Sequence, residues 1–312
     1  MSDWLRWNHP DLTVKSDSRR TASYRLLQSW YREKVLDVRY GTYGPKDHEK
    51  PCGSLLDPNN VRERSGLNFL TNNAAEYATT RAKDVAAEHG SLDPDRLTLN
   101  MLSSMPLCFS IFGELRSQHD GGLAGVKALF DPAATAVVKI ECEWKPGSNP
   151  LSDRTAFDAV IVTQRSNGSN HLIGVECKYT EPFSQHRYDP KHYEVPHDAS
   201  RWFKPNSAAT LSGSTTNQLW RNLLLASECA RRGELGASTA EVCIVALAED
   251  SGVDKARAGL AEQLLDPELH CRFVPLETIA TKFATVPGLV QCSESLNRRY
   301  IDRTPLGSER RR

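Results

Sequence analysis

Two short apolar runs separated by a polar turn constrain the fold of this chain most strongly. Residues 155–163 (TAFDAVIVT) and 171–179 (HLIGVECKY) are rich in β-branched residues, and they flank the polar segment 164–170 (QRSNGSN). This pattern predicts a β-hairpin. Because successive side chains of a strand alternate between its two faces, Glu176 and Lys178 should project from the same face.

Asp158 brings a second carboxylate to the same hairpin. It lies inside an apolar run, where a carboxylate is costly unless a partner or a metal satisfies it. Two neighbouring carboxylates suit a hard divalent cation such as Mg²⁺, which prefers oxygen ligands. A lysine beside them can position or activate an attacking water, or stabilise the charge of a phosphate. Asp158, Glu176 and Lys178 are therefore the candidate catalytic residues, and they suit hydrolysis of a phosphodiester.

This arrangement resembles the motif of the PD-(D/E)XK nuclease superfamily, which has the restriction-endonuclease-like fold. In that family an Asp lies on one strand, and a Glu or Asp, any residue and a Lys follow on the next. The matching positions are Asp158, Glu176, Cys177 and Lys178, whereas Phe157 stands where the motif has proline. The surrounding sequence is also similar to a bacterial group of restriction endonucleases within the superfamily.

The resemblance implies a Mg²⁺ or Mn²⁺ cofactor held by Asp158, Glu176 and the backbone carbonyl of Cys177, with Lys178 acting on the water. It also implies that the chain cleaves DNA, as an endonuclease in defence or DNA processing. Many nucleases of this type cut two strands by dimerising, so a homodimer is possible.

Two alternatives stay open. The first is a catalytically inactive nuclease-like scaffold that binds nucleic acid or a partner protein. The second is an unrelated α/β protein whose hairpin charges are ordinary surface residues. The second alternative predicts that Asp158 and Glu176 are more than about 10 Å apart, too far to share one ion.

The order of the predicted elements fits an α/β fold. It consists of a helical segment interrupted by Pro106, a strand, the two hairpin strands, an amphipathic helix and a buried strand. The segments outside the hairpin are residues 99–115, 137–144, 217–231 and 242–247. This order matches the αβββαβ core that the resemblance implies, a mixed sheet flanked by helices.

The rest of the chain frames this core. We expect a helical N-terminal extension over residues 1–98, in which residues 40–60 form a Gly- and Pro-rich loop. The nuclease-like domain would span residues 99–290. Residues 291–312 hold six arginines and are expected to form a basic, flexible tail.

Two more polar residues are candidates for the site. Glu143 lies on the strand before the hairpin, with Glu141 on the same face, and the alternative for both is a solvent-facing glutamate. Gln218 begins the helix after the hairpin, where many family members carry a glutamine that reaches towards the active site. The alternative for Gln218 is an ordinary polar residue at a helix start.

A long connection over residues 182–216 is the predicted DNA surface. It interleaves five aromatic residues with four cationic ones. Phosphates bind Arg and Lys, and bases stack on aromatic rings. The alternative is a packed, irregular flap without ligand contacts. Since 39 basic residues balance 39 acidic ones, no global field attracts a polyanion, and any DNA surface must be local.

Cysteine usage and hydropathy predict a cytoplasmic protein. The eight cysteines include no C-x-x-C pair, which favours a reducing compartment over a disulfide framework. The N-terminus lacks the apolar segment of a signal peptide. No apolar run approaches the roughly 20 residues that cross a bilayer, so we expect no membrane partner.

Overall fold

The computed structural model describes residues 12, 14–88, 90, 92–186 and 188–307. The chain divides into two compact units. The first unit comprises Met1–Glu114 with Phe283–Arg312, and the second comprises Leu115–Lys282.

The helices and strands of the described residues follow in chain order. The strands are β1 (Tyr40–Tyr43), β2 (Lys50–Leu56), β3 (Ala134–Trp144), β4 (Phe157–Arg165), β5 (Asn170–Cys177), β6 (Ala237–Ala246) and β7 (Cys271–Pro275). The first α-helices are α1 (Arg19–Tyr31), α2 (Pro58–Glu63), α3 (Asn72–Ala87), α4 (Pro94–Thr98), α5 (Ser104–Ser117), α6 (Leu123–Leu129) and α7 (Glu194–Ser200). The remaining α-helices are α8 (Ala208–Leu211), α9 (Asn217–Arg232), α10 (Ser251–Ala261), α11 (Pro267–His270), α12 (Leu276–Phe283) and α13 (Val290–Leu296). Short π- or 3₁₀-helical turns are Arg32–Leu36, Lys46–His48, Pro190–Tyr193, Glu234–Gly236, Asn297–Ile301 and Thr304–Leu306.

The first unit contains a β-hairpin where the sequence predicted a loop. Strands β1 and β2 pair antiparallel within residues 40–60. The glycines of this segment permit close packing rather than irregular structure. A Cβ on Gly41 would lie 2.6 Å from the carbonyl oxygen of Leu56, and one on Gly53 would meet the Ser29 side chain at 2.1 Å. The prediction of a loop was wrong because composition does not distinguish glycines in turns from glycines at close contacts.

The C-terminal segment of the first unit is helical through residue 301, so residues 291–307 are not the irregular tail that their charge suggested. Helix α13 runs directly into the π-helical turn Asn297–Ile301. There the Arg299 side chain is fully buried. Its Nε donates to Gln28 Oε1 at 3.2 Å and its Nη2 donates to Asn68 Oδ1 at 2.6 Å. The end of the predicted tail, residues 308–312, lies outside the described residues.

The described residues of the second unit form a five-stranded mixed sheet in the order β3-β4-β5-β6-β7. Strands β3, β4 and β5 are antiparallel neighbours, whereas β5, β6 and β7 run parallel. A parallel pair needs a crossover connection, and α9 lies in the one between β5 and β6. Strand β5 is buried along nearly its whole length, as expected of a strand covered on both faces.

This topology confirms the predicted αβββαβ order. Helix α5 starts at Ser104, so Pro106 falls in its first turn, where a missing N–H is tolerated. Helix α9 packs on the sheet through apolar residues that include Leu219 and Leu223. It ends at Gly233, whose positive φ of 69° makes it the helix C-cap. Beyond β6, strand β7 extends the sheet.

Phe157, at the position where the family motif has proline, is a core residue. Its ring is fully buried and stacks on Trp144 at 6.1 Å between centroids. A Cβ on Gly174 would lie 2.4 Å from the Phe157 ring. The glycine in β5 therefore leaves the space that the phenylalanine in β4 fills.

The connection over residues 182–216 packs its aromatic residues inward. Phe183, Tyr193 and Phe203 are buried in the core of the second unit, and their burial excludes base stacking. The prediction of an aromatic DNA surface is therefore wrong for these three rings, and the packed flap describes this segment better. Lys191 and Lys204 are exposed. Arg187 lies outside the described residues.

Two further findings concern the whole chain. All eight cysteines lie among the described residues and are free thiols. Of the helices that the structure describes, none is both long enough and apolar enough to cross a membrane.

Candidate active site

Asp158 and Glu176 lie opposite each other on neighbouring strands. Ala159 of β4 pairs with Val175 of β5, so the next residues along the antiparallel ladder, Asp158 and Glu176, are opposed. Opposed side chains share a face, with Cβ atoms about 4.5–5.5 Å apart. The backbone N–H of Cys177 donates to Asp158 Oδ2 at 2.8 Å. The alternative of an unrelated protein with widely separated carboxylates is therefore contradicted.

Glu143 extends this row onto β3. Cys142 pairs with Ala159, which puts Glu143 opposite Asp158 on the other side of β4. The backbone of Glu143 has a φ of 49°, in the left-handed region that a non-glycine residue adopts at a cost in energy. Its negative charge acts on Asp158. Glu143 thus belongs to the surroundings of the site and is not a remote surface glutamate.

Lys178 lies one residue beyond β5 and is buried. Its Nζ forms an ion pair with Glu176 Oε1 at 2.7 Å and lies 5.1 Å from the centre of the Phe183 ring. The Lys178 N–H donates to Val245 O at 2.8 Å, which fixes the backbone beside β6. The Lys178 ammonium is therefore in direct contact with the Glu176 carboxylate, which the sequence predicted to lie on the same face of the strand.

Two amides from α9 hold the Glu176 carboxylate. Gln218 Nε2 donates to Oε1 and Asn222 Nδ2 donates to Oε2, each at 2.6 Å. The Gln218 side-chain oxygen accepts the N–H of Ser184 at 2.8 Å. Residues four apart lie on the same face of a helix, so one helical face supplies both amides. For Gln218, the structure supports a side chain that reaches the candidate active site over an ordinary polar residue at a helix start.

Asn222 and Glu181 were not predicted from the sequence to belong to the site. A signal for Asn222 was present, because it follows Gln218 by four residues on a helix that is otherwise apolar where it meets the sheet. Glu181 carried no comparable signal. Its side chain accepts the N–H groups of Tyr179 and Thr180, and its charge acts on Lys178.

The electrostatics of the site favour protonation of both Asp158 and Lys178. Burial raises the pKa of Asp158 well above its ordinary value, and the charges of Glu176 and Glu143 raise it further. Burial alone lowers the pKa of Lys178. The charges of Glu176 and Asp158, together with the hydrogen bond to Glu176, outweigh that effect, so the net pKa of Lys178 is raised. The site thus has an excess of negative charge that a bound cation would relieve.

The donor set fits a hard divalent cation. Asp158 and Glu176 offer carboxylate oxygens, and the family resemblance implies the backbone carbonyl of Cys177 as a third oxygen. Among the described residues, no group of three or more His, Cys, Asp or Glu side chains is arranged to hold a metal ion. A protein site with few side-chain ligands suits Mg²⁺, which usually keeps several of its waters.

Comparison with known proteins agrees with this geometry. A family model described as the PD-(D/E)XK nuclease superfamily matches residues 15–302. No curated protein and no solved structure matches the chain. Members of the superfamily are generally hydrolytic nucleases and typically use divalent metals. The family match over nearly the whole chain, the mixed sheet and the motif residues at its centre all agree: this chain belongs to the PD-(D/E)XK nuclease superfamily.

Proposed function

We propose that this chain is a metal-dependent nuclease that hydrolyses DNA phosphodiester bonds, acting as an endonuclease in defence or DNA processing. One observation carries the proposal. Asp158 lies opposite Glu176, and Lys178 is ion-paired with Glu176, at the positions that the family motif assigns to catalysis. The cytoplasm, where DNA and a reducing environment for the free thiols coincide, is part of the same proposal.

Asp158, Glu176 and the carbonyl of Cys177 would hold Mg²⁺ or Mn²⁺. When bound, the ion would act as a Lewis acid at the scissile phosphate and lower the pKa of a bound water. Gln218 and Asn222 would fix the orientation of the Glu176 carboxylate. Partners of this kind commonly tune ligand position and metal affinity.

Lys178 would act as a hydrogen-bond donor. Its raised pKa means that the amine keeps its proton at neutral pH. A protonated lysine can orient the attacking water or stabilise charge on the phosphate. Action as a general base would require loss of that proton, which Glu176 and Asp158 oppose.

Cleavage of supercoiled plasmid tests the proposal. Wild-type protein should nick or linearise DNA with Mg²⁺ or Mn²⁺ and not with EDTA. Asp158→Asn, Glu176→Gln and Lys178→Ala should each lower the rate by at least about 100-fold, an effect typical of lost electrostatic stabilisation. Exposed Lys127 on α6 offers a matched control, and Lys127→Ala should cleave as wild type does. Cleavage that survives Lys178→Ala, or that ignores EDTA, contradicts the proposal.

A second candidate function is a nuclease-like scaffold that binds nucleic acid without cleaving it. The observation that favours it is the saturation of Glu176, because Lys178, Gln218 and Asn222 already occupy both carboxylate oxygens. This scaffold would bind DNA equally with Mg²⁺ or EDTA, and Lys178→Ala would leave that binding unchanged. Gel-shift titrations under both conditions separate the two functions. Sedimentation velocity would detect the homodimer expected if both strands are cut.

A further inference from the structure

A cavity of about 640 Å³ lies in the second unit at the opposite end of β5 from the candidate active site. His171, near the start of β5, lines it, whereas Glu176 lies near the end of the strand. Five residues of strand correspond to roughly 17 Å. Small-molecule sites usually have volumes of about 300–1,000 Å³. The cavity is therefore large enough for a ligand and separate from the proposed catalytic residues.

The charged groups that line this cavity are largely paired with one another. Arg165 pairs with Asp131 at 3.3 Å, and Arg272 pairs with Glu241. Arg231, the third cation in the lining, pairs with a carboxylate of its own helix. Because these charges compensate each other, the walls exert little net attraction on an anion. The ligand that suits such walls is uncharged.

One further charge lies at the rim of the cavity. Glu268 lines the cavity and is exposed. A phosphate group entering there would meet a like charge, which disfavours binding. This carboxylate adds to the preference for an uncharged ligand over a nucleotide phosphate.

Another wall of the cavity is aromatic. Trp202 and His270 both line it, and their rings stack at 4.1 Å between centroids with an angle of 12° between planes. A flat aromatic ligand can extend such a stack, since rings prefer offset parallel or edge contacts. The two rings are partly exposed, so stacking surface remains beside them.

Polar groups that can form hydrogen bonds to a ligand line the same cavity as the stacked rings of Trp202 and His270. His270 Nδ1 is buried and has no hydrogen-bond partner among the described residues. Burial lowers the pKa of His270, so the ring is neutral at neutral pH. Because Nδ1 is buried, the ring nitrogen that can meet a ligand without rearrangement is Nε2, as a donor or an acceptor according to the tautomer. Ser227 and Ser238, which carry hydroxyl groups, also line the cavity. The combination suits a planar, uncharged heterocycle whose edge carries both donors and acceptors.

We propose that this cavity binds a nucleobase. The base has the flat face that stacks beside Trp202, the mixed hydrogen-bonding edge that suits His270 and the serines, and no charge of its own. Two sources present the same base: a free nucleoside, which carries no charge for Glu268 to repel, or a nucleotide of a nucleic-acid strand whose base is turned out of its stack and whose phosphates stay outside the cavity. The site lies outside the proposed catalytic residues, and its occupancy does not depend on cleavage.

Calorimetric titration of the full chain in EDTA tests the proposal, with adenosine, guanosine, cytidine and uridine as ligands and ribose as the control. We expect at least one nucleoside to bind and ribose not to bind. Trp202→Ala should weaken binding by about tenfold, in line with the energy of a base stacked on an aromatic ring. Trp202→Phe should retain most of the affinity. Glu176→Gln should bind nucleosides as wild type does, so a failure of the proposed nuclease function is distinguishable from a failure of this site.

Competition with single-stranded oligonucleotides identifies the source of the base. If a strand supplies it, an intact oligonucleotide displaces the nucleoside and an abasic one of equal length does not. If neither displaces it, the ligand is the free nucleoside. The ring resonances of His270 in wild-type protein provide a second measurement that needs no variant. Absence of nucleoside and oligonucleotide binding to folded protein overturns the proposal, as does binding that leaves the His270 resonances unmoved and survives Trp202→Ala.

Discussion

The Asp158 carboxylate lies where its negative charge lowers the stability of the folded protein. Burial, Glu176 and Glu143 raise its pKa in the folded state, so the folded chain binds this proton more tightly than the unfolded chain. The stability linked to Asp158 is therefore fully present below the ordinary carboxyl pKa. It is lost as the pH rises from that value to the raised pKa of the folded state. Under the proposed function, a bound cation would offset this cost.

We expect Asp158→Asn to stabilise the metal-free protein at pH 7, because it removes a carboxyl whose pKa is raised in the folded state by burial and by the charges of Glu176 and Glu143. The asparagine oxygen can still accept the N–H of Cys177. Urea unfolding in EDTA measures the change. Asp254→Asn, an exposed change on α10, should leave stability within about 0.5 kcal/mol of wild type. A variant less stable than wild type would contradict the inference that the Asp158 charge destabilises the folded state.

Metal affinity should rise with pH. Asp158 must lose its proton before it can bind an ion, and its raised pKa moves that loss towards neutral pH. We expect the affinity for Mn²⁺ to keep increasing as the pH rises above the ordinary carboxyl pKa, with this slope lost in Asp158→Asn. Calorimetric titrations at several pH values measure both. A wild-type affinity that is flat above the ordinary carboxyl pKa would mean that Asp158 is not a ligand.

Among the elements, α9 connects the core to the site. Its apolar face, with Leu219 and Leu223, packs on the sheet, while Gln218 and Asn222 contact Glu176 from a neighbouring face. The rigidity that the packing gives the helix also fixes the two amides. The position of the Glu176 carboxylate is thus determined by an element outside the hairpin that carries it.

Asn222→Ala should weaken metal binding without unfolding the protein. It removes the donor to Glu176 Oε2, and loss of such a supporting partner typically lowers metal affinity or activity by about 10- to 100-fold. The Mn²⁺ concentration for half-maximal cleavage measures the effect. Asn72→Ala, an exposed asparagine at the start of α3, is the control. An unchanged metal requirement in Asn222→Ala would show that the hydrogen bond does not matter for the site.

The C-terminal segment depends on one buried arginine. Arg299→Ala should destabilise the protein by about 3 kcal/mol or more, since it leaves Gln28 and Asn68 without their charged partner inside the first unit. Arg298→Ala changes the exposed neighbour and should cost less than about 1 kcal/mol. Thermal and urea unfolding of both variants provide the comparison. An equal loss of stability in the two variants would contradict the conclusion that the buried Arg299 side chain stabilises the first unit.

The elements that the sequence predicted are those with a clear local pattern. The two apolar, β-branched runs around a polar turn predicted the hairpin of β4 and β5, and with it the positions of Asp158 and Glu176. Contacts between segments distant in the sequence could not be predicted. Nothing local indicates that Arg299 is buried, that the rings of Phe183 and Phe203 turn inward, or that Gly41 packs against Leu56.

For the molecule as a whole, the balance of 39 basic and 39 acidic residues limits how DNA can bind. A chain without net charge has no long-range attraction to a polyanion, so contacts must come from a small number of local cations. The inward packing of Phe183, Tyr193 and Phe203 removes these three rings from any stacking surface. The exposed cations of the 182–216 segment, Lys191, Arg201 and Lys204, remain candidates for phosphate contact.

DNA binding should therefore depend only moderately on salt. Each phosphate neutralised contributes a slope of about −0.9 to log K against log salt, and we expect a total slope of about −2 to −4. Fluorescence anisotropy with Glu176→Gln in EDTA measures binding without cleavage. A slope steeper than about −6 would reveal a large basic surface that the charge balance does not suggest.

The free thiols have a consequence for the chemical durability of the protein. Burial raises the pKa of Cys229 to about 12, and it raises that of the equally buried Cys243 as well. Since the thiolate is the form that reacts with oxidants and alkylating agents, these sulfurs are almost inert while the chain stays folded. Modification of Cys229 or Cys243 would therefore report that the second unit has opened.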